Sequence, residues 1–268
     1  MRLNERRMVF LYALLGLFIG GLINLLADQL PRWRRVRRLP FCPECDARRP
    51  PWQWLATVAT LALRARCPQC AERLPWRHLL VELGTAGLMA FLWLTYGRAG
   101  EWAYLGLYTL YSAILVLVLV IDLEHKLILN VVMFPAWALA LAGSLIHPTP
   151  YFYRLAILGG FLAYALLYLV YLAGILFVKG MSRARGKQIN AVAFGFGDVR
   201  LGGFMGLVLG FPHVFQAIFI AILLGGLVGL LYWAVRALIL RRYTLFTAIP
   251  YGPYLVTGTF LIMFFGPS

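Results

Sequence analysis

Hydrophobic and polar positions in this chain are segregated over lengths of a whole helix rather than alternating along strands. Predominantly apolar runs cover 8–30, 79–96, 102–121, 127–146, 154–178, 199–211, 214–236 and 244–265, and short polar connections separate most of them. About twenty apolar residues are needed to cross a bilayer as a helix, the form that satisfies every backbone group without water. The pattern predicts an all-α, polytopic membrane helix bundle of about eight transmembrane helices. The run 199–211 is short for a span unless it starts in the glycine-rich stretch before it. One sizeable polar insertion, 31–78, interrupts the series. The expected organisation is a first transmembrane helix over 1–30, a polar loop domain over 31–78 and a transmembrane bundle over 79–268.

Composition agrees, with 62% hydrophobic and 13% charged residues. The amino terminus, with three arginines and then an apolar run, has the outline of a secretory signal. No small-residue cleavage site follows and the run continues to Leu26, so it reads as a retained helix. The net charge of +15 would suggest nucleic acid in a soluble chain, but its distribution says otherwise. With the amino terminus outside, twenty of the 25 Lys and Arg fall on the inner side, eleven of them arginines in 31–78. Basic residues in short loops are retained on the cytoplasmic side. The excess is therefore a topology signal with attraction to membrane lipid, and nucleic acid is not an expected partner.

All four cysteines lie in the insertion, as Cys42-Pro43-Glu44-Cys45 and Cys67-Pro68-Gln69-Cys70. Two such turns can supply four sulfurs to a tetrahedral zinc ion. The alternative is one or two disulfides, disfavoured where the loop faces a reducing cytoplasm. A closed four-sulfur site leaves no open position, so this zinc would fold the loop rather than do chemistry.

Two aspartates stand apart from the other acidic residues. Asp122 follows the apolar run 114–121, and Asp198 follows Gly195-Phe196-Gly197 at the start of another apolar segment. A carboxylate beside hydrocarbon is costly and marks function. In the expected layout both lie at the inner ends of their helices. Two carboxylates brought together cannot easily both ionise, which lets one act as base on water while the other donates a proton. The plainer alternatives are a helix-end ion pair of Asp122 with Lys126 and a helix N-cap at Asp198. Gly195 and Gly197 leave the backbone uncluttered and are expected to give a substrate backbone room to approach.

These residues resemble the type IV prepilin peptidases of bacteria, membrane aspartic proteases with a Gly-X-Gly-Asp motif. Gly20-Gly21-Leu22-Ile23-Asn24 is similar to the family's Gly-Ser-Phe-Leu-Asn stretch, and the cysteines to its tetracysteine loop. Val81-Glu82-Leu83 resembles the segment after that loop, and Ile121-Asp122-Leu123 and Gly195–Leu201 the two catalytic regions. Ile249-Pro250-Tyr251-Gly252-Pro253 resembles the closing Pro-Phe-Gly-Pro. The resemblance implies an endopeptidase with catalytic Asp122 and Asp198. It would remove the basic leader of prepilins and pseudopilins after a glycine at the cytoplasmic membrane boundary. It also implies N-methylation of the new terminus with S-adenosylmethionine as cofactor.

The chain departs from the family at three places. Asp28-Gln29-Leu30-Pro31 stands where Arg-Leu-Pro is usual, Leu127-Ile128-Leu129-Asn130 where Ile-Pro-Asp is usual, and Arg200 where a lysine is usual. Glu82 is a candidate contact for a leader lysine or the new amine, or else a charge at a helix N-terminus. Asn24 is a candidate for the same contact, or for a hydrogen bond between helices. A competing reading keeps the membrane fold but makes the protein a transporter or assembly scaffold that uses its aspartates for protons or cations.

Overall fold

The computed structural model describes residues 2–32, 41–42, 44–45, 47–62, 64–185, 194–235 and 250–266. Among the described residues the chain is all-α, with no strand beyond two isolated bridges. It divides into two compact units, Met1–Ile121 and Asp122–Ser268. The part of the last apolar run over 244–249, including Ile249 of the closing motif, lies outside the described residues.

The first unit contains α1 (Arg2–Gln29), a short α2 (Ala56–Leu61), α3 (Trp76–Leu92) and α4 (Trp102–His125) up to Ile121. Helices α1 and α3 are antiparallel and advance against each other one turn at a time. A Cβ on Gly20 would fall 2.7 Å from the Glu82 backbone, and one on Gly16 would fall 2.6 Å from the Ala86 backbone. Such a Gly-x-x-x-Gly spacing lets two backbones approach where side chains would hold them apart. One turn further, Asn24 Nδ2 donates to the His78 carbonyl at 3.0 Å. Beyond that, Asp28 forms an ion pair with Arg77 and lies 3.2 Å from His78 Nε2. The helix pair thus runs from an apolar, glycine-lined contact to a charged end. Tyr12 and Thr109 join α1 to α4 through their hydroxyls at 3.0 Å.

The second unit holds Asp122 at the end of α4, then α5 (Asn130–Leu145), α6 (Phe152–Arg185), α7 (Phe196–Leu209), α8 (His213–Val235) and α9 (Gly252–Phe265). Glycines again set the closest contacts. Gly206 of α7 leaves no room for a Cβ against the backbone of Gly159 on α6, and Gly258 of α9 does the same against Ala217 of α8. The cluster Gly202, Gly203 and Gly206 is thus used for packing. Gly225 faces the rings of Tyr251 and Tyr254, whereas Gly226 and Gly229 have open space beside them.

Among the described residues five helices are long and apolar enough to cross a membrane: Glu5–Gln29, Trp76–Gly97, Trp102–His125, Phe152–Arg183 and His213–Val235. The chain is a multi-pass membrane protein. The apolar runs at 127–146, 199–211 and 244–265 become the shorter helices α5, α7 and α9. A 14-residue helix rises about 21 Å, well below the roughly 30 Å of a hydrocarbon core. Of these short helices, α7 carries Asp198 and α9 reaches Asp122 through Gly252.

Candidate active site and metal site

Asp122 occupies the last turn of α4 and is 5% exposed; Asp198 occupies the first turn of α7 and is 8% exposed. The structure brings Asp122 close enough for its charge to act on Asp198. Asp198 is not the N-cap. Gly195 fills that position, with extended backbone at φ −79° and ψ 138°, and accepts the Asp198 N–H at 3.1 Å. The Gly195 N–H in turn faces the Asp198 carboxylate, as the third residue of a capping box does. A Cβ on Gly195 would press to 3.1 Å from Asp198 Oδ2. Glycine here leaves the carboxylate room to sit against the Gly195 backbone.

Asp122 is approached from α9. The Gly252 N–H faces its carboxylate, and a Cβ on Gly252 would collide with the same group. Among the described residues nothing donates a hydrogen bond to Asp122 Oδ2, although the atom is buried. Tyr251 stands beside Asp198, with its ring 5.7 Å from that of Phe194 in an edge-on arrangement. Gly252 and Tyr251 were missed as site residues. Their signal was the Pro250-Tyr251-Gly252-Pro253 stretch, which resembles the family's closing motif but lies inside the apolar run 244–265.

Gly197 has a different role from the one expected of it. The space its missing side chain leaves is filled by Ile128, whose Cβ lies 2.7 Å from where a Gly197 Cβ would stand. The clearance serves packing of α7 on the connection between α4 and α5, not entry of a substrate backbone. The same connection ends at Asn130, whose Oδ1 accepts a hydrogen bond from the Arg200 guanidinium. Arg200 also lies 4.5 Å over the Phe196 ring, and its carbonyl accepts the Trp137 indole N–H at 3.0 Å. Two of the departures noted in the sequence, Asn130 and Arg200, therefore meet.

In the first unit, each cysteine pair sits in a tight antiparallel turn. The Cys42 N–H donates to the Ala47 carbonyl at 2.9 Å and the Cys67 N–H to the Glu72 carbonyl at 2.8 Å. The four sulfurs lie within 4.8 Å of one another, with Cys42 3.6 Å from Cys70 and Cys45 3.7 Å from Cys67. A tetrahedron with metal–sulfur bonds of about 2.3 Å has edges of about 3.8 Å, so this set can hold a metal ion. All four are free thiols. Backbone N–H groups of Cys70 and Gln69 bring Cys67 down to about 6. Cys70 is pushed up to about 12, where burial and the neighbouring thiols outweigh the Glu72 N–H. A cluster with such opposed tendencies becomes fully ionised when a cation balances it.

Glu82 and Asn24 lie in the first unit as well, and both are engaged. Glu82 is 1% exposed. Its Oε1 accepts the Ala56 N–H at 2.7 Å, and its Oε2 accepts the Thr57 N–H at 2.8 Å and the Thr57 hydroxyl at 2.7 Å. The carboxylate caps α2, with both oxygens accepting hydrogen bonds from that helix. Its charge does sit at a helix N-terminus, but that of α2 rather than its own. Asn24 is 4% exposed and ties α1 to α3, the helix-joining alternative of its two readings.

An all-helical, multi-pass membrane chain carrying a pair of buried, facing carboxylates defines a narrow class of protein. Residues 109–230 match the type IV leader peptidase family, and residues 14–96 match the bacterial peptidase A24 N-terminal domain. The chain belongs to the type IV leader peptidase family. It is 28% identical to a prepilin leader peptidase/N-methyltransferase of Pseudomonas putida, covering 96% of this chain and 91% of that one. A protein of the same name from Pseudomonas aeruginosa is 28% identical over 94% of this chain and 89% of its own. Another from Bacillus subtilis is 24% identical over 97% and 96%. No solved structure matches the chain.

Proposed function

We propose that the protein is a prepilin leader peptidase in which Asp122 and Asp198 are the catalytic pair. The observation that carries this reading is the convergence of two buried carboxylates from different helices, one with an oxygen that no described group engages. One carboxylate removes a proton from water as it attacks the scissile carbonyl, and the other protonates the departing amine. Glycines at 195 and 252 keep side chains off both groups, so a peptide and a water can reach them. Proteolysis in a membrane needs water near the boundary, and short α5, α7 and α9 favour a site close to it.

The substrates are prepilins and pseudopilins, cleaved after a glycine just ahead of their hydrophobic helix. The enzyme resides in the bacterial inner membrane, with its amino terminus outside and both the dyad and the cysteine loop on the cytoplasmic side. The charge distribution supports that orientation. The resident metal is zinc, held by Cys42, Cys45, Cys67 and Cys70 as a closed structural site. The names of the relatives support a second activity, N-methylation of the new terminus with S-adenosylmethionine. Glu82 and Asn24, the candidates for that step, both hold helices together, so no part of methyl transfer is assigned to a residue. Incubating purified enzyme with a prepilin tests the proposal. The shorter product is expected from the wild type and absent with Asp122→Asn or Asp198→Asn, whereas full processing by either variant would refute the dyad.

A further inference from the structure

The segment between the two cysteine pairs packs along the flank of the α1–α3 pair. Two independent contacts fix its depth. Leu55 packs against α1 at Gly21, where a Cβ would fall 2.6 Å from Leu55 Cδ2. Gly21 is eight residues from the end of α1, about 12 Å of helical rise. On the other side, Ala56 and Thr57 hydrogen-bond to Glu82, six residues or about 9 Å into α3. The charged end of this helix pair is marked by the Asp28–Arg77 ion pair, beside Trp76, which is 77% exposed. A segment lying wholly beyond that boundary could reach neither Gly21 nor Glu82.

We propose that residues 51–62 form a re-entrant element that dips into the membrane boundary, with an anionic lipid leaflet as its partner. Backbone at that depth must find its hydrogen bonds within the protein. Pro50 and Pro51 have no N–H to leave unpaired, and Gln53 and Trp54 donate to the carbonyls of Pro50 and Pro51 at 2.9 and 3.1 Å. Glu82 takes the N–H groups of Ala56 and Thr57. Gln53 Nε2 closes the far side by donating to the carbonyls of Arg64 and Arg66 at 2.9 and 2.6 Å. Outward the element leaves Trp52 and Trp54, 43% and 46% exposed, Val58 at 45% and Leu61 at 80%, with exposed Thr60 turning its hydroxyl onto the Ala56 carbonyl at 2.7 Å. Indole rings and aliphatic tips in this arrangement suit the interface between headgroups and acyl chains. From 47 to 66 the sequence has four arginines and no acidic residue, which favours anionic headgroups. Arg64 lies 5.8 Å over the Trp52 ring at this edge.

The test uses the full-length protein in vesicles of phosphatidylethanolamine and phosphatidylglycerol. The photoreactive residue p-benzoyl-phenylalanine replaces Val58, Leu61 or, as a control on the cysteine turn, Glu72. After illumination, mass spectrometry is expected to find lipid adducts at 58 and 61 and only background at 72. The captured lipid should be enriched in phosphatidylglycerol over its share of the mixture. Equal yields at 61 and 72, or capture at 61 of a second protein chain in place of lipid, would overturn the proposal. Capture in proportion to the mixture would remove the arginines from it.

Discussion

Glu82 in the first unit and Asp122 in the second are both buried carboxylates at the ends of apolar surroundings, yet they are opposite in their bonding. Glu82 accepts three hydrogen bonds, two from backbone N–H groups and one from a hydroxyl. Asp122 faces one backbone N–H and a second carboxylate, and its Oδ2 accepts nothing from the described residues. A buried acid whose two oxygens both accept hydrogen bonds from a neighbouring helix holds a structure in place. A buried acid with an unengaged oxygen beside another acid is available to a water and a substrate. Burial alone does not separate the two; the partners do.

The comparison can be broken most forcefully at Gly252. Gly252→Val would drive a side chain into Asp122, and displacement of about 1 Å at a catalytic group typically costs about 10²-fold in rate. Cleavage should fall by that order while the purified protein keeps its helical circular dichroism. The opposite behaviour is expected at Glu82. Glu82→Gln places an amide opposite backbone donors, a cost of about 1–3 kcal/mol for groups left unsatisfied. Its thermal midpoint should drop, with the cleavage rate of the folded fraction unchanged. Stripping the metal with a chelator should act like Glu82→Gln, increasing amide exchange across the two cysteine turns, because those turns have little other core to hold them. The smallest effect concerns Asn130 and Arg200. Arg200→Ala or Asn130→Ala alone should slow cleavage several-fold, and the double variant should cost little more than either, since groups in direct contact couple by about 0.5–3 kcal/mol. Additive losses in that cycle would mean the pair does not act as a unit.

How much of this was legible in the sequence depended on how local each feature is. The cysteine site was legible because its ligands come as two identical short turns. Asp122 and Asp198 were legible as costly charges at the ends of apolar runs, and their pairing followed once both were placed at the same side of a membrane. Eight apolar runs were legible as helices, but the short lengths of α7 and α9 depend on where the turns at Gly195 and Tyr251 fall. Helix α2 was hidden because six residues are too few for a membrane pattern. The partners of Glu82 were hidden for a different reason: they are the backbone N–H groups of Ala56 and Thr57, which have no side-chain signature. Asn130 and Arg200 lie seventy positions apart, and each alone looked like an isolated substitution. Gly197 showed the limit of reading glycine from sequence, since only the structure reveals that Ile128 fills the space beside it.

The central claim is that Asp122 and Asp198 act as one catalytic pair, and the mass of a prepilin's amino-terminal peptide after reaction with the purified enzyme tests it most directly. Wild-type protein should yield the peptide that begins immediately after the leader glycine, and Asp122→Asn and Asp198→Asn should each leave the leader intact with rates down by about 10²- to 10⁴-fold. A processed peptide from either variant at the wild-type rate would contradict the account.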